Sequence, residues 1–310
     1  MSKAGPRRRL TVLLTTAVLA LVGVVAAAVM VFGGLYNVAA TAQHTQQVYS
    51  LLEVAMRQSV RLRARDIEPP PLDDPALIAR GITCFVEKCV QCHGAPGVAP
   101  HALAYGMTPM PVNLVSTART WQPEEIYWVV RNGIKMSGMP AWERRLSDDE
   151  IWNVVAFVRK MASMTVPDYA ALNKEIAGAA APVQATAVPA REEHAAVPAM
   201  PASTLAGKPA PGDLAGNVEA GRRALGQYLC ATCHQIPGVT GANNHVGPPL
   251  DGIAGRRYIG GIIANNPENM VRWLIDPQQF DPLSAMPALG VTARDARDIA
   301  AFLYTLDDVE

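Results

Sequence analysis

Two copies of one five-residue motif constrain this chain more than any other feature. They are Cys89-Val90-Gln91-Cys92-His93 and Cys230-Ala231-Thr232-Cys233-His234. The C-x-x-C-H spacing is the attachment signature of c-type haem. Two thiols three positions apart can each form a thioether with a vinyl group of the same porphyrin, and the histidine that follows is held beside the iron. The chain therefore predicts two covalently bound haem c groups, one attached through Cys89, Cys92 and His93 and the other through Cys230, Cys233 and His234.

Other uses of a C-x-x-C pair fit this sequence less well. A structural zinc site needs a second ligand pair at short range, whereas Cys92 and Cys230 are far apart in the chain. A thioredoxin-like dithiol lies beside a βαβ pattern, and no strand-helix-strand alternation flanks either motif. A disulfide framework needs cysteines spread across loops. We interpret the fifth cysteine, Cys84, as a small buried side chain with apolar character.

The N-terminal segment predicts a membrane anchor. The basic cluster Arg7-Arg8-Arg9 precedes 26 residues without a charge, Leu10–Leu35. As a helix this segment is long enough to cross a bilayer core of about 30 Å, whereas the apolar region of a signal peptide has about 7–15 residues. Because the basic cluster should stay cytoplasmic, we expect the rest of the chain on the outer, periplasmic side of a bacterial cytoplasmic membrane. Cleavage of a signal after Ala42 is the alternative.

Composition divides the chain into two domains and three other segments. Residues 1–36 form the basic tail and the anchor, and residues 37–73 form a juxtamembrane helix that ends in a proline-rich boundary. That helix is either a solvated spacer or a helix that lies on the membrane or on a partner subunit. Residues 74–168 and 212–310 are the two domains. Residues 169–211 are dominated by Ala and Pro, which predicts a flexible linker that cannot bury a core.

The two domains repeat one order of helix signals. In each, a capped helix leads into the motif, a proline opens a second helix, a methionine-proline pair follows in a loop, and a capped last helix closes the domain. These helices start at Asp74, Pro123 and Ser147 in the first domain and at Asn217, Pro267 and Thr292 in the second. No β-alternation is evident. The fold class is therefore all-α, with one N-terminal transmembrane helix followed by two helical domains.

The position of two methionines in this order predicts the second iron ligand of each haem. Methionine is typical of electron carriers, because its neutral thioether raises the reduction potential. Met139 and Met286 each precede a proline and lie a short loop before the last helix of their domain. Met136 is the rival of Met139, whereas Met286 has no methionine near it.

The order of motif, middle helix, methionine-proline loop and last helix resembles that of class I cytochrome c, over both domains. The resemblance implies that His93 and Met139 are the axial pair of the first haem iron. It implies in the same way that His234 and Met286 are the axial pair of the second. Both irons would then have six ligands, with no open position for a substrate.

The resemblance also implies two features outside the ligand set. A glycine on the first helix should pack against an aromatic residue on the last, which pairs Gly81 with Phe157 and Gly221 with Phe302. A Gly-Pro-x-Leu segment should offer a carbonyl to the proximal histidine. Gly247-Pro248-Pro249-Leu250 matches this segment and assigns Pro248 to His234. The first domain departs from the pattern, since Met110 replaces the glycine before Pro111.

These features predict an electron carrier and not an enzyme. The formal net charge is zero, which gives no reason to expect a nucleic-acid partner. We expect a membrane-anchored dihaem cytochrome that transfers single electrons between respiratory-chain partners, as a subunit or donor of a terminal oxidase. The alternatives are the electron-accepting subunit of a periplasmic dehydrogenase and, from another class, a dihaem enzyme such as a peroxidase. The expected partners are the membrane and a redox protein, namely a terminal oxidase, a quinol-oxidising complex or a dehydrogenase.

Overall fold

The computed structural model describes residues 6–179 and 216–307, and the described part of the chain is mostly helical. Its α-helices are α1 Pro6–Phe32, α2 Gln46–Ala64, α3 Pro75–Lys88, α4 Val90–His93, α5 Leu114–Thr120, α6 Pro123–Asn132, α7 Asp148–Met161, α8 Val166–Ala179, α9 Val218–Gln227, α10 Pro267–Ile275 and α11 Ala293–Leu303. Single 3₁₀ turns occur at Ala102–Ala104, Cys230–Thr232, Ile253–Gly255 and Pro277–Gln279. The chain divides into two compact units, Met1–Ala42 and Gln43–Glu310.

The all-α prediction is confirmed, with one small addition. Strands β1, Tyr258–Ile259, and β2, Ile263–Ala264, form a short antiparallel hairpin in the second domain. Gly260 and Gly261 at its turn both have a positive φ, which favours glycine. Two residues per strand are too few to produce the alternation by which a strand is recognised in a sequence.

Helix α1 is long and apolar enough to cross a membrane by its length and composition. It is the one helix of this kind among the residues that the structure describes. It begins at Pro6, one residue before the basic cluster, and ends at Phe32, three residues before the predicted end of the apolar segment. Gly33 and Gly34 follow it, and Gly34 has a φ of 64°, a left-handed conformation that commonly terminates a helix.

The first domain is built around the contact between α3 and α7. Gly81 on α3 lies against the backbone of Asn153 and the Cβ of Phe157 on α7, so close that a side chain at position 81 would collide with both. The predicted pairing of Gly81 with Phe157 is thus confirmed. Phe85, one turn further along α3, stacks on Phe157 with ring centroids 5.1 Å apart. The predicted capping box of Ser147 and Glu150 fixes the start of α7.

The second domain repeats this arrangement with α9 and α11. Gly221 on α9 meets the backbone of Asp298 on α11, and its predicted aromatic partner, Phe302, is buried one turn further along. Asn217 caps α9 through the backbone N–H of Ala220, as the sequence predicts. Helix α10 completes the core, with Trp273 buried beneath Gly260 of the hairpin turn.

Helix α2 is bound to both domains, which excludes a solvated spacer. Its second half lies on the first domain, where Arg57 stacks over Trp121 and Arg61 pairs with Glu125 at 3.2 Å. Its N-terminal end meets the second domain, where the Gly241 N–H donates to the side-chain oxygen of Gln46. Along the opposite side of the helix, apolar side chains remain exposed, at Val48, Leu51, Leu52 and Leu62. Contact of that side with the membrane or a partner stays a prediction.

The prediction of a flexible linker over residues 169–211 is wrong for the first part of that segment. Residues 166–179 form helix α8, in which Tyr169 is 3% exposed and packs into the core of the first domain. Thr165 and Asp168 hold its first turn through side-chain hydrogen bonds. The high alanine content that we took for a linker suits a helix equally well, because alanine has the highest helix propensity. Residues 180–211 lie outside the described residues.

The two domains also contact each other directly. The side chain of Ser116 donates to Asn244 at 3.1 Å, and the Gln278 amide donates to the carbonyl of Gly97 at 3.2 Å. These contacts join helix α5 and the loop at Gly97 of the first domain to the second domain. A second domain that moves freely on a linker is therefore not the arrangement that the structure describes.

The glycine contacts predict a sharp difference within helix α9. Gly221→Ala places a Cβ against the backbone of α11, which cannot move aside, so we expect the free energy of unfolding to fall by about 1–3 kcal/mol. Gly226→Ala on the same helix meets only the Gln43 amide at 3.5 Å, so the gain in helix propensity should leave stability equal or up to about 1 kcal/mol higher. Urea unfolding followed by far-ultraviolet circular dichroism measures both. Equal midpoints for the two variants would contradict the packing described here.

Candidate functional site

Each motif forms a tight turn at the end of the first helix of its domain. In the first domain, Cys89 ends α3 and begins the short helix α4, so that His93 directly follows one helical turn. In the second, Cys230 begins a 3₁₀ turn that ends at Cys233. These turns place both thiols and the imidazole of a motif on one short stretch of backbone. All five cysteines are free of disulfides.

The motif thiols are held in the protonated form by their surroundings. Burial raises the pKa of Cys89 and of Cys230 to about 12 in each case. Burial also raises the pKa of Cys92 and of Cys233. Such thiols are weak nucleophiles at neutral pH. They are therefore poor candidates for thiolate chemistry such as disulfide exchange.

Both motif histidines are fixed by the same hydrogen bond. The Nδ1 of His93 lies 2.7 Å from the carbonyl oxygen of Val112, and the Nδ1 of His234 lies 2.7 Å from that of Pro248. Because a carbonyl can only accept, Nδ1 must carry the proton, and Nε2 is left with a free lone pair. Burial lowers the pKa of both imidazoles, which favours this neutral form. A neutral imidazole with a free Nε2 is the form that binds a metal.

The carbonyl partner is as predicted in the second domain and differs in the first. Pro248 is confirmed as the partner of His234. In the first domain, where the missing glycine argued against Pro111 as the partner, Val112 holds His93 and Pro111 does not. The two segments correspond when their positions are counted backwards from the leucine that ends each of them, Leu114 and Leu250. Val112 stands two residues before Leu114, as Pro248 stands two before Leu250. Pro111 stands three residues before Leu114 and so does not correspond to Pro248.

The structure separates the two methionines that compete in the first domain. Met139 is partly buried and packs against the core of that domain. Met136 is 91% exposed and has a φ of 60°, so its side chain points away from the core. Met286 packs against the core of the second domain, as Met139 does in the first. A third methionine, Met107, which the sequence pattern does not indicate, lies beside the loop that contains Met139. Its sulfur is 3.0 Å from the position that a Cβ on Gly138 would take.

Cys84 and Trp273 each pack in or against the core of their domain. Cys84 is partly exposed, not fully buried as expected, and packs against the first core. Burial is the main cause that raises the pKa of its thiol. Trp273 is a core residue that stacks on Phe280 with ring centroids 6.2 Å apart. Trp128 is partly exposed.

The residues of both motifs fit a covalently attached haem. Each motif offers two thiols without a disulfide and one imidazole with a free Nε2. Gly247 lies against the ring of His234 so closely that any side chain at that position would displace the imidazole. The hydroxyl of Tyr105 is buried and has no hydrogen-bond partner in the described part of the chain, which is unusual for a buried polar group unless a bound group supplies one.

Comparison with known families agrees with this geometry in both domains. Residues 76–158 match the family described as cytochrome c oxidase, cbb3-type, subunit III. Residues 218–307 match the family described as cytochrome c. The chain is a two-domain cytochrome c. The two matches lie within the two helical repeats, and both domains of this cytochrome are of the kind that carries electrons by means of haem c.

Two curated relatives share part of the cytochrome's sequence. Cytochrome c oxidase subunit 2 of Alkalihalophilus pseudofirmus is 31% identical over 91 residues, which are 29% of this chain and 26% of the relative. Quinohemoprotein alcohol dehydrogenase of Comamonas testosteroni is 26% identical over 142 residues, 44% of this chain and 19% of the relative. The cytochrome thus spans about a quarter or less of the length of each. No solved structure matches it significantly.

The close approach of Gly247 to His234 generates a prediction that the two repeats test against each other. Gly247→Ala should displace the imidazole, break its 2.7 Å bond to Pro248 and disturb the second iron. Pro111→Ala is the matched control, because Pro111 also stands directly before the carbonyl partner and already carries a side chain. Electron paramagnetic resonance of the oxidised protein should show one altered haem signal in Gly247→Ala and two unaltered signals in Pro111→Ala. An unaltered Gly247→Ala spectrum would contradict the contact.

Proposed function

We propose that this protein is a membrane-anchored dihaem c-type cytochrome that transfers single electrons on the outer face of the cytoplasmic membrane. Each motif binds one haem c covalently, through Cys89 and Cys92 in the first domain and through Cys230 and Cys233 in the second. The observation that carries the proposal is the pair of equivalent histidine–carbonyl bonds, which leave the Nε2 of His93 and of His234 free for iron. Helix α1 supplies the anchor.

Met139 and Met286 are the second axial ligands in this proposal. Their support is positional, since each packs against the core of its own domain and follows the middle helix. The exposure of Met136 argues against the rival ligand. The haem supplies a one-electron ferric–ferrous couple. The protein's own part is to fix the histidine tautomer, to exclude water with its apolar core and to present a thioether, which favours the ferrous state.

The electron partner that we favour is a terminal oxidase. The family matched by the first domain and one curated relative are both oxidase subunits by name. The second relative is a dehydrogenase by name, which keeps the alternative of an electron-accepting subunit. The second domain has seven basic and eleven acidic residues from Pro211 to Glu310. A basic docking patch on the partner would complement this charge.

The methionine assignment predicts opposite outcomes for two substitutions three residues apart. Met139→Leu should remove the near-infrared band of methionine-ligated ferric haem from one of the two haems and lower that haem's reduction potential, because a neutral soft ligand is lost. Met136→Leu should change neither, because its side chain is exposed. Absorption spectroscopy and a redox titration measure both effects. A high-spin ferric haem in the unmodified resting protein would instead favour the peroxidase alternative.

The choice between oxidase and dehydrogenase predicts which complex accompanies the protein. After gentle detergent extraction of membranes, an affinity-tagged full-length chain should retain haem–copper oxidase subunits. Chemically reduced protein in that preparation should be reoxidised by oxygen in a cyanide-sensitive reaction. Association with a dehydrogenase, with reduction of the haems by its substrate, would overturn the oxidase assignment and establish the alternative. The association should weaken as the salt concentration of the extraction buffer is raised, because salt screens the complementary charges.

A further inference from the structure

The second motif is in contact with the first domain along its length. The segment Tyr105–Arg119 of the first domain, which we call the bridging segment, meets residues on both sides of the second motif and within it. Tyr105 packs edge-on against Tyr228, two residues before Cys230, with ring centroids 6.1 Å apart. Met110 packs against the core of the second domain. The bridging segment also includes Val112, the residue that holds His93.

Asn113 makes the most direct of these contacts. Its side-chain Nδ2 donates to the sulfur of Cys233 at 3.3 Å. Its Oδ1 accepts from the N–H of Val115 at 2.9 Å and caps helix α5. Both ends of the amide therefore have partners, and this fixes which end faces the sulfur. Since the preceding residue holds His93, one dipeptide contacts both motifs.

A second series of hydrogen bonds connects the bridging segment to the backbone of the second motif. Ser116 donates to the side chain of Asn244 at 3.1 Å, and Asn244 donates to the carbonyl of Ala231 at 3.0 Å. Ala231 lies between the two cysteines of the second motif. The first domain thus supports the backbone of the second motif as well as one of its sulfurs.

The hydroxyl of Tyr105 points to a further role for the bridging segment. It is buried beside the second motif, where the tyrosine ring packs against Tyr228. It has no hydrogen-bond partner among the described residues. A buried hydroxyl without a partner destabilises the fold, and a bound group with an acceptor would remove this effect.

We propose that the first domain completes the haem site of the second, with Tyr105, Met110 and Asn113 as positioning residues. The proposal rests on the proposed function, because it requires a haem at the second motif. Burial by these side chains disfavours the more highly charged ferric state, and a donor to the cysteine sulfur withdraws electron density from it. Both effects raise the reduction potential of the second haem above the value that its own domain would give.

The test uses the full-length membrane protein with two substitutions and a control. Asn113→Ser keeps a residue that can cap α5 but is too short to reach Cys233. Tyr105→Phe keeps the ring and removes only the buried hydroxyl, whose hydrogen bond to an acceptor of the bound haem would offset negative charge there and so raise the potential. Asn266→Ser makes the first change at another helix cap, that of α10, where the asparagine side chain holds the N–H of Asn269. In a redox titration the second haem is identified as the one whose potential falls in Met286→His.

The expected result is a lower midpoint potential of the second haem in Asn113→Ser, and a larger fall when Tyr105→Phe is added, with Asn266→Ser equal to the wild type. Unchanged potentials in the double variant, or a change confined to the first haem, would overturn the inference. A wild-type protein with a single covalently bound haem, measured by mass spectrometry, would refute the proposed function itself and is recognised before any variant is made.

Discussion

The bond from each motif histidine to a backbone carbonyl sets the requirements for the rest of its domain. An imidazole that donates from Nδ1 must have a loop carbonyl within hydrogen-bond distance, so the chain must return to the motif after leaving it. In the first domain this return is made by the segment that ends in helix α5, and in the second by the segment that ends at Leu250. Met139 and Met286 follow in later loops, where each packs against the core of its own domain.

The returning segment of the first domain has a second consequence. Because it continues past Val112 to Asn113 and Ser116, the residues that hold the first histidine are joined directly to those that contact the second motif. The two domains are therefore not independent modules on a tether. Helix α2 adds to this, since Arg61 holds the first domain and Gln46 the second. If the two sites are held at a fixed spacing, electron transfer between them would depend on that spacing and less on the diffusion of one domain towards the other.

The sequence was sufficient to predict features that depend on local chemistry. The motif, the capping residues Asp74 and Ser147, and the apolar length of α1 each act through a short stretch of chain, so their side chains identify them. The close approach of Gly81 to Phe157 was also within reach, because the resemblance to a known family supplied the pairing. These are the parts of the fold where one residue type at one position is physically required.

Features that depend on distant parts of the chain could not be predicted in the same way. The burial of Tyr169 requires α3 as a partner, and alanine content cannot distinguish a packed helix from a linker. The choice of Val112 over Pro111 depends on how the loop reaches the histidine, and only the distance from Leu114 indicates it. The exposure of Met136 depends on a positive φ that the residue type does not suggest. Contacts between the domains leave no periodic pattern, so Asn113 and Tyr105 were invisible.

A single pair of corresponding positions shows how the two repeats differ in the contacts that they make. When each segment is counted back from its leucine, Asn113 in the first domain corresponds to Pro249 in the second. Pro249 has neither a side-chain donor nor a backbone N–H, so it cannot donate a hydrogen bond to another part of the chain. Asn113 offers an acceptor that starts helix α5 and a donor that reaches Cys233. The same point of the fold therefore stiffens the segment in one repeat and joins the two domains in the other.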